Sequence, residues 1–167
     1  MSRYGEAMTG AVLEAQFAAK LKGVYEFRLH PELWATPGIN AYYPGRAWTS
    51  VRFIAPAPPE VPAVSGIYMF VVAPHCGTLA DHSYIFYVGK ATNLRTRYAE
   101  YLREKACNCE SPRENVVRFL NHLEDYVFFH FTPVPQNELD HAESLLKDNL
   151  TPFANTQVNI IGRLNTA

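Results

Sequence analysis

No apolar run in this 167-residue chain approaches the roughly 20 residues that a membrane-spanning helix requires, so no membrane partner is expected. The N-terminal apolar stretch, Ala11–Ala19, is interrupted by Glu14 and Gln16 and does not read as a secretory signal. A cytoplasmic protein is therefore expected. Cysteine is scarce: Cys107 and Cys109 are separated by a single residue, and Cys76 is remote from both. No C-x2-C pair exists, which excludes the usual structural zinc sites, and all three cysteines are expected as reduced thiols. Charge is also sparse. At 19% charged, 48% hydrophobic and 13% aromatic residues, the chain is not a disordered polyelectrolyte and has material for a packed core. A net charge of -1 is unusual for a chain that binds a polyanion tightly.

The charge is nonetheless unevenly distributed. Between Tyr87 and Arg118 seven cations (Lys90, Arg95, Arg97, Arg103, Lys105, Arg113, Arg118) face four anions (Glu100, Glu104, Glu110, Glu114). Between Glu124 and Asp148 six anions accompany only Lys147. A phosphate-bearing partner is attracted to the first segment and approaches the second only through a divalent cation. By charge alone, two solvated helix faces explain the same pattern.

Three parts are expected: an N-terminal extension (1–55), a Pro-rich connector (56–63) and a main domain (64–167). In the first, Leu13, Phe17 and Leu21 mark a helix over Ala11–Lys22, and Trp48–Ile54 reads as a strand. Ala55-Pro-Ala-Pro-Pro-Glu-Val-Pro62 excludes helix and central strand. In the main domain, Gly66–Val72 and Tyr84–Val88 read as a hairpin of two strands, with Ala73–Ser83 as a loop carrying His75, Cys76 and His82. Gly89 reads as a turn that ends the second strand. Thr92 is the expected cap of a helix to about Lys105, Ser111-Pro112-Arg-Glu114 is a capping box opening a second helix, Tyr126–Thr132 is a third strand, and Asn137 is the expected cap of a third helix.

The chemistry-bearing residues are Tyr68, Tyr87, Lys90, Arg97, Tyr101, Glu143 and Asn155. Gly66-Ile67-Tyr68 and Tyr87-Val88-Gly89 resemble the two signatures of the GIY-YIG nuclease family, over about Ser65–Asn155. Lys90 follows Tyr87 by three residues, Arg97 by ten and Tyr101 by fourteen, and Asn155 follows Glu143 by twelve with Pro152 between them. These offsets are similar to those of the family's excision-repair incision subunits. The resemblance implies an α+β fold, a small three-stranded antiparallel sheet flanked by helices, here with an N-terminal helix and strand extension. It implies hydrolysis of DNA phosphodiester bonds with one Mg2+ (or Mn2+), leaving 5′-phosphate and 3′-hydroxyl ends.

The residue types suit that chemistry. Tyrosines on neighbouring strands can share a face, and Arg97 and Tyr101, four apart on a helix, point the same way. A phenol is a poor base at its ordinary pKa of about 10, and nearby cations such as Lys90 and Arg97 are expected to lower it. The same cations suit non-bridging phosphate oxygens. Glu143 is the expected metal ligand, since magnesium in phosphate sites takes one or two carboxylates and several waters. Asn155 supports geometry without charge. Which tyrosine serves as base stays open. A sequence-specific, restriction-type enzyme, a structure-specific or toxin-like nuclease, and a non-cleaving nucleic-acid binder of the same fold also stay open, as does a homodimer through the aromatic N-terminal part. His141-Ala-Glu143 matches the H-x-E of zinc deaminases, but no cysteine follows Cys109 to complete that site.

Overall fold

A computed structural model of the chain describes residues 41–43, 45–73, 83–107 and 113–155. The expected helix over Ala11–Lys22, the loop residues 74–82 and the Ser111 cap lie outside them.

The fold is α+β. Four strands, β1 (Thr49–Arg52), β2 (Gly66–Val72), β3 (Tyr84–Ala91) and β4 (Val127–Pro133), form one antiparallel sheet in the order β1-β4-β2-β3. Among the described residues three helices flank it: α1 (Leu94–Cys107), α2 (Glu114–His122) and α3 (Leu139–Leu150). The expected three-stranded sheet is thus corrected to four. The additional strand comes from the Trp48–Ile54 segment, which pairs Thr49 with Phe131 and Arg52 with Phe128. It precedes the Pro-rich connector yet is hydrogen-bonded into the same sheet. No helix among the described residues is long and apolar enough to cross a membrane.

The sequence of β2 explains its central place. Gly66-Ile-Tyr-Met-Phe-Val-Val72 is apolar almost throughout, as a strand covered on both faces must be. Tyr68 and Phe70 pack with Leu94, Tyr98 and Tyr101 of α1, Val116, Phe119 and Leu120 of α2, and Phe129 of β4. On the opposite face Ile67, Met69 and Val71 pack with Val88 and with Leu139, Ala142 and Leu146 of α3. The result is a layer of two helices, a sheet, and a layer of one helix. The first layer is rich in aromatic edge contacts, with ring centroids 4.9 Å apart for Phe70–Tyr101 and 5.0 Å for Phe53–Phe70.

The connector is fastened to α1. Two helix N–H groups that have no intrahelical acceptor find carbonyls there: Leu94 N–H donates to Val64 O (2.9 Å) and Arg95 N–H to Pro62 O (3.1 Å). The Arg95 guanidinium donates to Val61 O (2.7 Å) and Pro59 O (2.9 Å). The capping side chain is Asn93, whose Oδ1 accepts from Thr96 N–H at 2.9 Å, one residue later than the expected Thr92. Asn137 likewise falls inside a short 3-10 turn, Gln136–Glu138, and does not cap α3. Tyr98 ties α1 to the end of β1: its hydroxyl accepts from Ile54 N–H (2.9 Å) and lies 2.8 Å from Ile54 O. Cys107 is disulfide-bonded, contrary to the expectation of three reduced thiols, so cysteine usage gives no support to a reducing compartment.

Candidate active site

β3 does not end at Gly89. It runs on to Ala91, and Gly89 lies opposite Tyr68 in the β2–β3 ladder. Glycine is required there by space. A Cβ at position 89 would stand 2.5 Å from Tyr68 Cζ and Oη and 2.8 Å from Tyr87 Cε1. The bare backbone is the floor on which the Tyr68 phenol lies. Gly66 serves a similar purpose at the start of β2, where a Cβ would stand 2.5 Å from the Thr132 carbonyl.

Three phenols meet above that floor. Tyr68 and Tyr87, on paired strands, have ring centroids 6.0 Å apart. Tyr101 reaches down from α1, its hydroxyl 3.0 Å from that of Tyr68, either one being the donor. Tyr68 and Tyr101 are buried, 2% and 0% exposed, whereas Tyr87 is partly open to solvent. Burial, reinforced by the neighbouring phenols, holds Tyr68 well above its ordinary pKa, and the lowering effect of Arg97 does not offset it. Burial also raises Tyr101. The expected lowering of phenol pKa by nearby cations therefore does not occur at these two residues. Desolvation of the charged form outweighs the guanidinium.

Arg97 lies on the same helix, its Nη1 2.9 Å from Glu100 Oε2. Glu100 is shared with Arg113, 3.4 Å away, whose guanidinium sits 4.9 Å from the Tyr101 ring centroid. Arg113 also pairs with Glu104 at 2.5 Å. Sequence reading missed this cluster of two guanidiniums and two carboxylates beside the phenols. Its only trace in the sequence is the i, i+3 and i, i+4 placement of Glu100 and Glu104 around Arg97 and Tyr101.

Lys90 and Glu143 belong to the other face of the sheet. Lys90 is the ladder partner of Ile67, which faces α3. Its Nζ is 2.9 Å from Glu143 Oε2 and also bonds Asp140 Oδ1. Lys147 Nζ approaches the other Glu143 oxygen at 3.4 Å. The Glu143 side chain is only 13% exposed. Hydrogen bonds to Asp140 and then Glu143 hold Lys90 above the ordinary lysine value. Asp140 was not singled out from sequence, although its position three residues before Glu143 puts both on one helix face. Six of the seven sequence-derived residues therefore form two groups, phenols and Arg97 on the α1 face, Lys90 and Glu143 on the α3 face, and the seventh, Asn155, lies apart at the edge of β3. The two groups adjoin at the consecutive residues Gly89 and Lys90.

Asn155 grips β3 from its outer edge. Its Oδ1 accepts from Val88 N–H at 2.7 Å and its Nδ2 donates to Val88 O at 2.8 Å. The preceding Ala154 N–H donates to Phe86 O at 2.8 Å. Asn155→Ala is expected to destabilise the fold by about 1–3 kcal/mol, because both Val88 groups lose their partner. Asn155→Asp retains the acceptor and loses the donor, and is expected to fall between the two in urea midpoint.

Alkali offers a test of the phenol environment. Burial pushes Tyr98 up to about 12 and raises Tyr68 and Tyr101 as well. In the unfolded chain these phenols lose their protons near pH 10. The folded state thus binds more protons above that pH, and the stability that burial of the neutral phenols confers is complete below about pH 10 and declines as pH rises toward 12. Absorbance of phenolate at these three positions is expected to appear together with unfolding followed by circular dichroism, whereas ionisation in the intact fold would contradict the assigned burial.

No family model matches the chain, and no curated protein matches it. Among solved structures it is similar to the GIY-YIG N-terminal endonuclease domain of UvrC from Thermotoga maritima. With the form bound to its catalytic divalent cation, magnesium, the identity is 23% and the TM-score 0.40, covering 57% of this chain and 86% of that one. With a tyrosine-to-phenylalanine point mutant of that domain, also bound to its catalytic divalent cation, the identity is 24% and the TM-score 0.39, with the same coverage of 57% and 86%. A second such mutant gives 20% identity and a TM-score of 0.39 over 58% of this chain and 88% of that one.

Proposed function

We propose that this chain is a metal-dependent endonuclease of the GIY-YIG type that hydrolyses phosphodiester bonds in DNA. The observation that carries the reading is the ordered set from Gly66-Ile67-Tyr68 to Asn155, within which Gly89 makes room for Tyr68 and the next residue, Lys90, engages Glu143. In this reading Tyr87, less buried than Tyr68, holds the attacking water and takes its proton. Tyr68 and Tyr101, joined through their hydroxyls, fix the Tyr87 ring. Arg97 and Lys90 neutralise phosphate oxygens. Asn155 holds the edge of β3 in register.

Glu143 is the residue that would hold Mg2+ or Mn2+. The donor set suits such an ion: one largely enclosed carboxylate, 13% exposed, can serve a cation that keeps most of its water. When bound, such an ion supplies positive charge to a phosphodiester oxygen.

The test is nicking of supercoiled plasmid by the full chain, with Mg2+ and with chelator. Conversion to nicked and linear forms that stops on chelation supports the reading. Retarded but uncut DNA under all conditions would make the chain a binding module instead. Discrete bands from a long duplex would assign sequence-specific, restriction-type cutting, and a smear an unspecific nuclease. Sedimentation with and without duplex would decide whether two copies act together.

A further inference from the structure

Lys90 contacts two carboxylates at once, Glu143 and Asp140. Glu143 is nearly enclosed, with an ammonium at each oxygen, whereas the Asp140 side chain is 90% exposed. Among the described residues Lys90 is the only partner of the Asp140 side chain. An exposed pair of this kind adds little to stability. Its effect is therefore better sought in where it holds the ammonium.

A divalent cation and an ammonium cannot occupy the same oxygen lone pairs. Hard cations bind carboxylate oxygen at about 2.0–2.6 Å, inside the contact that Lys90 makes with Glu143 Oε2 at 2.9 Å. Loading of Glu143 through Oε2 therefore displaces or reorients the Lys90 ammonium. Its stem leaves β3 at a fixed point, and Asp140, one helical turn before Glu143, is the other acceptor already in contact with it.

Resting on the reading of Glu143 as the metal carboxylate, we propose that Asp140 is a positioning residue. It retains the Lys90 ammonium when a divalent cation displaces that ammonium from Glu143. Lys90 and the cation are competitors for Glu143, and Asp140 sets the terms of the exchange by giving the loser a partner. Lys90 then keeps a partner on α3, with its charge turned from Glu143 and available to a phosphate.

The experiment is calorimetric titration of Mg2+ into the full chain, without DNA, for the wild type, Asp140→Asn, Lys90→Met, the double variant and Glu143→Gln. Thermal melts accompany each to establish that the fold is retained. Lys90→Met should tighten Mg2+ binding, since the competitor is gone. Asp140→Asn should weaken it about fivefold when Lys90 is present and less than about twofold when Lys90 is replaced by Met, the mark of two residues that act through one another. Equal weakening in both backgrounds, or none in either, would overturn the exchange, because Asp140 would then act on the cation directly or not at all. Unchanged affinity in Glu143→Gln would remove the metal assignment itself, and the exchange with it.

Discussion

Glu143→Ala is expected to reduce DNA cleavage by at least about 10²–10³-fold, the range seen when a single charge-stabilising group is taken from a transition state. The fold should survive. Glu143 projects from α3 beside the Ala142 and Leu146 stripe and contributes ion pairs, not core volume, to that face. The variant frees Lys90 and Lys147 from a shared anion, so binding of uncut DNA should be retained or strengthened while cutting is lost. Nicking assays and gel retardation on the same preparation separate the two effects. Cutting that persists at wild-type rate, still sensitive to chelator, would relocate the metal.

Gly89→Ala is the second large effect, and it acts through packing. The added methyl would overlap the Tyr68 ring and hydroxyl at 2.5 Å and Tyr87 at 2.8 Å. Tyr68 cannot retreat, since Phe129 stacks on it with centroids 5.2 Å apart and Tyr101 holds its hydroxyl. Either the phenols shift or β3 separates from β2. Overpacking of this kind costs about 1–3 kcal/mol and occasionally more. For a chain of this length that corresponds to roughly 2–4 °C in melting temperature per kcal/mol. Cleavage should fall further than stability explains, because the displaced residues are the phenols themselves. A Gly89→Ala variant with wild-type melting temperature would show that the floor under Tyr68 is not tight.

Much of this architecture can be read from local pattern. The apolar run Gly66–Val72 announces a central strand, and the Leu, Tyr and Val periodicities announce the three helices within a residue or two of their ends. What was illegible depends on distant partners. The pairing of Thr49–Arg52 with Phe128–Phe131 joins segments nearly eighty residues apart, and the side chains of β1, exposed except for the half-buried Val51, carry little trace of it. Gly89 resembles a turn glycine until the Tyr68 ring is seen to lie against it. Counting cations near tyrosines suggests lowered pKa values, but the sequence does not weigh charge against burial, and at Tyr68 and Tyr101 burial prevails. Asp140 escaped notice for a related reason. One carboxylate among six between Glu124 and Asp148 acquires meaning only when a lysine from another element arrives beside it.

The grip of Asn155 on Val88, with Ala154 on Phe86, has a consequence for assembly. A strand from another molecule that sought to extend the sheet beside β3 would find the amide and carbonyl of Val88 and the carbonyl of Phe86 already satisfied from within. That seam is self-sealed, and β-augmentation there would first have to evict the chain's own Asn155.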